Sequence, residues 1–149
     1  MSEQDWNCYI LKSVNKTYNY GYKTYVGSTN NLIRRLNQHN GYISGGAKKT
    51  IKDRPYNIDI FLQTLCHHKF ILQLEWIIAH PNGRRLNVKY RTINGRIEGI
   101  KKIFTENKKW IKKILDHKKK IYIFCKSEYY DNFEYNKLNY PPNVEFIIF

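Results

Sequence analysis

The chain has 149 residues, of which 42% are hydrophobic and 15% aromatic, so its length excludes two full-sized domains and its composition excludes general disorder. Lys and Arg number 26 against 12 Asp and Glu, and the formal charge of +14 favours a polyanionic partner, either nucleic acid or an anionic membrane surface. No segment approaches the roughly 18 apolar residues of a membrane span, and the first residues lack a signal-peptide pattern. We therefore expect an intracellular protein that is not secreted, and of the two polyanions we expect nucleic acid and not a membrane as its partner.

The first forty residues predict a β-hairpin followed by a helix. Aromatic and β-branched residues dominate segments 6–14 and 22–26, and the turn-rich link between them is typical of antiparallel strands. The polar residues after Gly27 offer several helix N-caps. Apolar residues then recur at helical spacing in segment 32–40, which Gly41 ends.

The rest of the chain predicts further strands and helices in alternation. Segment 67–80 carries an apolar stripe of helical period and stops at Pro81. By the same criteria, strands are predicted at 56–65, 121–125 and 144–149, helices at 93–104 and 109–115, and loops at 42–55 and after 125. This order predicts the α+β class.

Three segments carry side chains suited to one kind of chemistry. Tyr9 and Tyr25 lie on the two strands of the hairpin, and Arg35 and His39 are four residues apart on one face of the next helix. Glu75 falls inside an apolar helix, where an unpaired carboxylate is costly and has a metal or a basic side chain as partner. Such a set is sufficient for phosphodiester hydrolysis with one metal ion.

The order of these motifs resembles that of the GIY-YIG endonuclease superfamily. Residues 8–11 (CYIL) and 25–27 (YVG) match its two half-motifs, with an arginine ten residues after the second tyrosine and a histidine four further on. Within the superfamily the chain resembles the catalytic subunits of Slx-type structure-specific endonucleases. That likeness is carried by residues 25–41, GGAKKT at 45–50, the Arg54-Pro55 pair, LEWIIAHP at 74–81 and RRL at 84–86.

The resemblance implies a small three-stranded sheet flanked by helices, and hydrolysis of branched DNA such as flaps, forks and junctions. It implies that Arg35 stabilises the transition state, that one of the two tyrosines is the general base, and that His39 relays the proton. Glu75 would be the sole protein ligand of Mg²⁺ or Mn²⁺, and Asn87 is a weak further candidate. The expected DNA contacts are Arg34, Asn40, Lys48, Lys49, Arg84 and Arg85. A protein that cleaves branched DNA is expected at sites of DNA replication or repair. These sites lie in the nucleus or, for a viral protein, in the cytoplasm.

The chain also departs from the Slx-type pattern. Those proteins have a C-terminal zinc domain that docks a scaffold subunit, and Cys8, Cys66 and Cys125 are too few and too scattered to build one. We therefore expect no zinc and no scaffold subunit, with a nuclease core at 7–88 and a helical and β extension at 89–149 packed on it. The oligomeric state stays open. His67, His68 and His80 lack a matching ligand set, which favours capping or surface roles.

Two other functions remain open at this stage. One is a nucleic-acid-binding module that has kept the fold and lost catalysis, although the complete set of five reacting residues argues against it. The other is a nuclease of the restriction or homing type, which would need a recognition domain that the residues after the core leave little room for.

Overall fold

The computed structural model describes residues 2–17, 21–84 and 88–149. Five strands form one sheet: β1 (Gln4–Thr17), β2 (Gly21–Thr29), β3 (Tyr56–Cys66), β4 (Ile121–Cys125) and β5 (Val144–Ile148). Their order across the sheet is β2-β1-β3-β4-β5. The first four strands pair antiparallel and β5 runs parallel to β4. The hairpin strand β1 therefore lies inside the sheet, between β2 and β3, and β2 is an edge.

The helices are α1 (Leu32–His39), α2 (His68–Ala79), α3 (Ile93–Thr105), α4 (Lys108–His117) and a single turn, α5 (Ser127–Tyr130). Side-chain caps explain where three of them begin. Asn31, Thr92 and Asn107 each accept a hydrogen bond from the backbone N–H three residues on. None of the helices in the described residues is both long enough and apolar enough to span a bilayer.

The two faces of the sheet bury different residues because side chains alternate along each strand. One face packs against α2, α3 and α4, and its buried residues include Cys8 and Ile10 of β1 and Ile60 and Leu62 of β3. The opposite face packs against α1 and buries Tyr9, Leu11 and Tyr56. A strand of the hairpin therefore contributes to the main core with one side and presents Tyr9 with the other.

The α+β class is confirmed, but the sheet is larger than expected. The family resemblance implies a three-stranded sheet, with strands 121–125 and 144–149 assigned to an extension, whereas β4 and β5 continue the same sheet to five strands. A buried polar network at this junction joins β3 to α5: the Asp59 carboxylate accepts from the Tyr129 hydroxyl at 2.8 Å and lies 2.9 Å from the Lys126 ammonium. The segment after β4, predicted as a loop, contains α5.

Candidate active site

Tyr9 lies at the centre of the site because of the strand register. It is directly opposite Gly27 on β2, and its ring is buried against that glycine. A Cβ atom at position 27 would collide with the Tyr9 hydroxyl. The glycine of the YVG motif is therefore required by the close approach of the phenol.

Helix α1 brings two side chains to this hydroxyl. The Tyr9 oxygen lies 2.7 Å from Nε2 of His39, and Nε of Arg35 donates to the same oxygen at 3.3 Å. The spacing of four residues places Arg35 and His39 on one face of the helix, as the sequence predicts. Tyr25 completes the cluster, because its ring centroid is 5.0 Å from that of His39.

Thr50 determines which nitrogen of His39 carries the proton. The Thr50 hydroxyl donates its single hydrogen to the Ala47 carbonyl at 2.8 Å, so toward Nδ1 of His39, 2.9 Å away, it is an acceptor. Nδ1 is then the protonated nitrogen and Nε2 accepts from Tyr9. Thr50 was not among the residues expected from sequence, although it closes the GGAKKT segment.

Arg35 and Arg54 connect helix α1 to the loop that follows it. Nη1 of Arg35 donates to Oε1 of Gln38 at 2.9 Å and to the Gly45 carbonyl at 2.8 Å. Nε of Arg54 donates to the carbonyl oxygens of His39, at 2.6 Å, and Thr50, at 3.1 Å, which ties the histidine to the loop that orients it.

Glu75 approaches from α2, and Ser28 of β2 orients it. The Ser28 hydroxyl donates to Oε2 of Glu75 at 3.0 Å. Burial raises the pKa of the half-buried Glu75 carboxyl, while the Ser28 bond and the charge of Arg35 act in the opposite direction. Ser28 is one of the polar residues after Gly27 that are candidate helix caps, but the cap is Asn31, and Ser28 bonds the carboxylate instead.

Burial sets the charge states of the other groups. It raises the pKa of both Tyr9 and Tyr25, and the Arg35 guanidinium partly opposes that rise. It lowers the pKa of His39 to about 4, with the charges of Arg35 and Arg54 adding to the effect. At neutral pH the phenols are therefore protonated and His39 is neutral, which agrees with the hydrogen-bond directions.

The donor set suits one kind of metal ion. Glu75 is a single carboxylate, and no group of three His, Cys, Asp or Glu side chains that could hold a metal occurs within the described ranges. Mg²⁺ commonly binds through one or two carboxylates, with water and substrate phosphate completing its shell. A structural zinc site needs four protein ligands. The residues present therefore fit Mg²⁺ or Mn²⁺ at Glu75.

The expected DNA contacts fall into three groups. The side chains of Arg34, Lys48, Lys49 and Arg84 are exposed. Asn40 differs, because its amide donates to the Tyr56 carbonyl at 3.0 Å and accepts from the Tyr56 N–H at 2.6 Å. That amide is engaged within the protein, which favours a structural role over contact with DNA. Arg85 and Asn87 lie outside the described residues.

Two of the three histidines singled out in the sequence, His67, His68 and His80, pair with aromatic rings. His68 stacks on Trp6 with ring centroids 4.2 Å apart, and His80 stacks on Trp76 at 4.7 Å. His67 lies 4.0 Å from a carboxylate oxygen of Glu3 on the surface. These contacts account for the three side chains without a metal.

The sequence is similar to those of a known family and of several named proteins. Residues 5–91 match the family described as the GIY-YIG catalytic domain. The chain is similar to proteins named structure-specific endonuclease subunit slx1, with 42% identity over 81 residues in Aspergillus terreus, 40% over 78 in Schizosaccharomyces japonicus and 45% over 69 in Schizosaccharomyces pombe. These stretches are 54%, 52% and 46% of this chain and only 20%, 28% and 25% of the respective relatives.

Proposed function

Because this chain belongs to the GIY-YIG family of catalytic domains, we propose that it is a metal-dependent endonuclease that hydrolyses phosphodiester bonds in branched DNA. One observation carries the proposal. A continuous line of hydrogen bonds runs from Arg35 through Tyr9 and His39 to Thr50, and the lone carboxylate of Glu75 lies close enough to act on the pKa of both tyrosines.

Tyr9 is the general base in this proposal, because it is the tyrosine bonded to His39. Its oxygen takes a proton from the attacking water while its own proton passes to Nε2 of His39. The raised pKa of Tyr9 makes a free phenolate unfavourable, so the transfer depends on His39 as acceptor and on the Arg35 donor to the same oxygen. Tyr25 orients the water or shares the base role.

Arg35 and Glu75 act on the phosphate. Arg35 neutralises the extra negative charge that the phosphoryl group gains in the transition state. Glu75, held by Ser28, would bind Mg²⁺ or Mn²⁺, which when present supplies Lewis-acid stabilisation of charge on the phosphate and leaving oxygens.

Exposed basic side chains would bind the DNA backbone. Arg34, Lys48, Lys49 and Arg84 are exposed, and Arg85 and the weaker candidate Asn87 remain proposals from sequence. Contacts of this kind fix the register of the DNA without reading bases. They release counterions, so binding should weaken steeply as salt rises.

The names of the relatives support a proposal for the substrate and the setting. They are named structure-specific endonucleases, so we propose that this chain acts on flaps, forks or junctions at sites of DNA replication, recombination or repair. They are also named subunits, and this chain matches less than a third of the length of each. We propose that residues 89–149 form an extension of the nuclease core, and that the chain cuts DNA without a scaffold subunit and without zinc.

A nicking assay tests the proposal. The purified chain, with Mg²⁺ and no partner protein, is incubated with a flap, a fork, a four-way junction and a plain duplex of matched length. Cleavage near the branch point and little cleavage of the duplex is expected. Binding without cleavage would favour the inactive binding module, and cleavage of duplex at one sequence would favour a restriction or homing nuclease.

A further inference from the structure

A cavity of about 480 Å³ lies at the free edge of the sheet, beside the candidate active site. Its walls come from residues 22–26 of β2, the C-terminal end of α2, the turn that carries Lys49, and Arg91 and Arg96. Tyr25 belongs to both the cavity wall and the reacting cluster. Arg96 lies beyond the residues that match the family, so the extension contributes to this cavity.

Arg96 is a buried cation that has no anionic partner among the described residues. The residue is 9% exposed, and its Nε donates to the Thr24 hydroxyl at 3.1 Å. Thr24 in turn donates to the Arg91 carbonyl, which fixes its oxygen as the acceptor for Arg96. Within residues 2–17, 21–84 and 88–149, the terminal nitrogens of Arg96 form no hydrogen bond and no carboxylate lies within ion-pair distance.

The unbonded nitrogens of Arg96 are reached from the cavity, so an anion bound there would compensate a charge that burial makes less favourable than in water. Removing one partner of a buried charge pair destabilises a protein because the remaining charge is left unpaired. Burial lowers the pKa of Arg96 to about 10, and the positive charge of Arg91 adds to this effect. Burial and the neighbouring Arg91 therefore both disfavour the positive charge of Arg96, which faces the cavity.

The other cations around the cavity strengthen its positive potential. Arg91 and Lys49 form no ion pair with the described part of the chain. Lys23 is partly compensated, since its ammonium lies 3.8 Å from the Asp53 carboxylate. Several positive charges around a concave site concentrate the positive electrostatic field there and attract an anion.

The remaining walls suit a base and a sugar. Tyr22 and Tyr25 offer aromatic surface, and Val26 and Ala79 are apolar. The volume is within the range of about 300–1,000 Å³ typical of sites for small organic ligands. A base that is paired in a duplex cannot enter such a cavity without its partner strand. A nucleotide bound there would therefore be unpaired.

We propose that this cavity binds one unpaired nucleotide of a DNA strand, with its phosphate on Arg96 and Arg91 and its base against the tyrosines. This inference rests on the proposed action on DNA, which it deepens by naming the part of the substrate that is recognised. An unpaired nucleotide next to the reacting phosphodiester distinguishes a branch point from a plain duplex.

Binding measurements on the full chain test the proposal without cleavage. Fluorescence anisotropy, without divalent cations, compares labelled single-stranded dT8 with an eight-base-pair hairpin duplex. Arg96→Met and Arg91→Met remove cations from the cavity, and Lys109→Met removes an equal charge from the exposed face of α4. We expect both arginine variants to bind dT8 about 10-fold more weakly than Lys109→Met, as for a lost charge-assisted hydrogen bond, with similar duplex binding in all three.

Further arms cover the other outcomes. Competition by dTMP but neither thymidine nor inorganic phosphate would show that the cavity takes a complete nucleotide. If Arg96→Met does not fold, Arg91→Met and Thr24→Val carry the test, because Arg91 is exposed and Thr24 orients Arg96. Equal dT8 affinity in the cavity variants and Lys109→Met would overturn the proposal. Arg96-dependent binding in a chain that cuts no branched DNA would reject the nuclease proposal and retain the cavity.

Discussion

The phenol oxygen of Tyr9 lies 2.7 Å from Nε2 of His39, and the proton in this hydrogen bond belongs to the tyrosine. The assignment follows from Thr50, whose own hydrogen is committed to Ala47 and which therefore accepts from the other ring nitrogen. A proton acceptor for Tyr9 is thus in place without DNA. The hydrogen bond positions His39 to take that proton, but it does not by itself make Tyr9 a stronger base, because burial raises the pKa of Tyr9 and lowers that of His39 to about 4.

Replacing Glu75 by Gln should abolish cleavage and leave DNA binding intact. Glutamine keeps the size of the side chain and an oxygen for the Ser28 hydroxyl, but it removes the negative charge that would hold the metal ion. We expect the single-turnover rate to fall by at least roughly 10²–10³-fold. Glu106→Gln, at an exposed position, is the matched control. A Mg²⁺-dependent rate near that of the unmodified chain would contradict the role of Glu75.

Two neighbouring arginines should have separable effects. Arg35→Ala removes the donor to Tyr9 and the proposed transition-state contact, so the rate at saturating DNA should fall by roughly 10²–10³-fold. Arg34 is exposed and its side chain makes no hydrogen bond or ion pair with the described residues, so Arg34→Ala should mainly raise the Kd for DNA. Measuring rate and Kd for both variants checks this, and equal rate losses would refute the separation.

Gly27→Ala should impair cleavage without unfolding the protein. A methyl group at this position would collide with the Tyr9 hydroxyl, so the ring must move away from His39 and Arg35. A displacement of about 1 Å at a reacting group can cost roughly 10²-fold in rate. Circular dichroism and Tm should show a folded protein. Full activity in this variant would show that the close packing of Tyr9 against Gly27 is not required for cleavage.

Folding stability should fall in acid through His39. Its pKa in the folded protein is about 4, below the ordinary value of 6.5, so the unfolded chain binds a proton that the folded chain does not. The contribution of His39 is complete above about pH 6.5 and is lost as the pH falls toward 4, with a slope of at most about 1.4 kcal/mol per pH unit. Urea unfolding at several pH values should show a shallower decline for His39→Gln. Parallel curves would contradict the assignment.

The purified chain should contain no zinc and should lose only activity when metals are removed. Cys8, Cys66 and Cys125 are free and buried in the core, and no cluster of metal-binding side chains occurs in the part of the chain that the structure covers. Treatment with EDTA should leave the circular dichroism spectrum unchanged and stop cleavage until Mg²⁺ or Mn²⁺ is added. Stoichiometric zinc in elemental analysis would refute this.

Much of the fold can be predicted from the sequence, because the decisive signals are local. Strand 121–125 is observed with those bounds, and α1 ends one residue before the predicted position. The membership of the GIY-YIG family is confirmed as well, since its motifs occur in order along the chain. The five-stranded sheet could not be predicted in this way, because the pairing of β3 with β4 joins segments that are far apart in sequence.

The site residues that were missed have no distinctive local pattern. Thr50 is one small polar residue at the end of a basic loop, and its role depends on where that loop returns to α1. Ser28 has the same sequence context as a helix cap, and only the position of α2 shows that it bonds Glu75. Both depend on tertiary contacts, whereas Tyr9, Tyr25, Arg35, His39 and Glu75 follow motif spacing.

The continuous sheet restricts how the C-terminal region of this protein can evolve. Strand β4 pairs with β3, and β3 pairs with β1, the strand that carries Tyr9, while Asp59 and Tyr129 join the same two regions through a buried hydrogen bond. Residues beyond the family match are therefore part of the framework that positions the Tyr9 ring. If Tyr9 has the proposed role, selection on cleavage extends to residues outside the candidate site, such as Asp59 and Tyr129, and the C-terminal region does not diverge independently of residues 5–91.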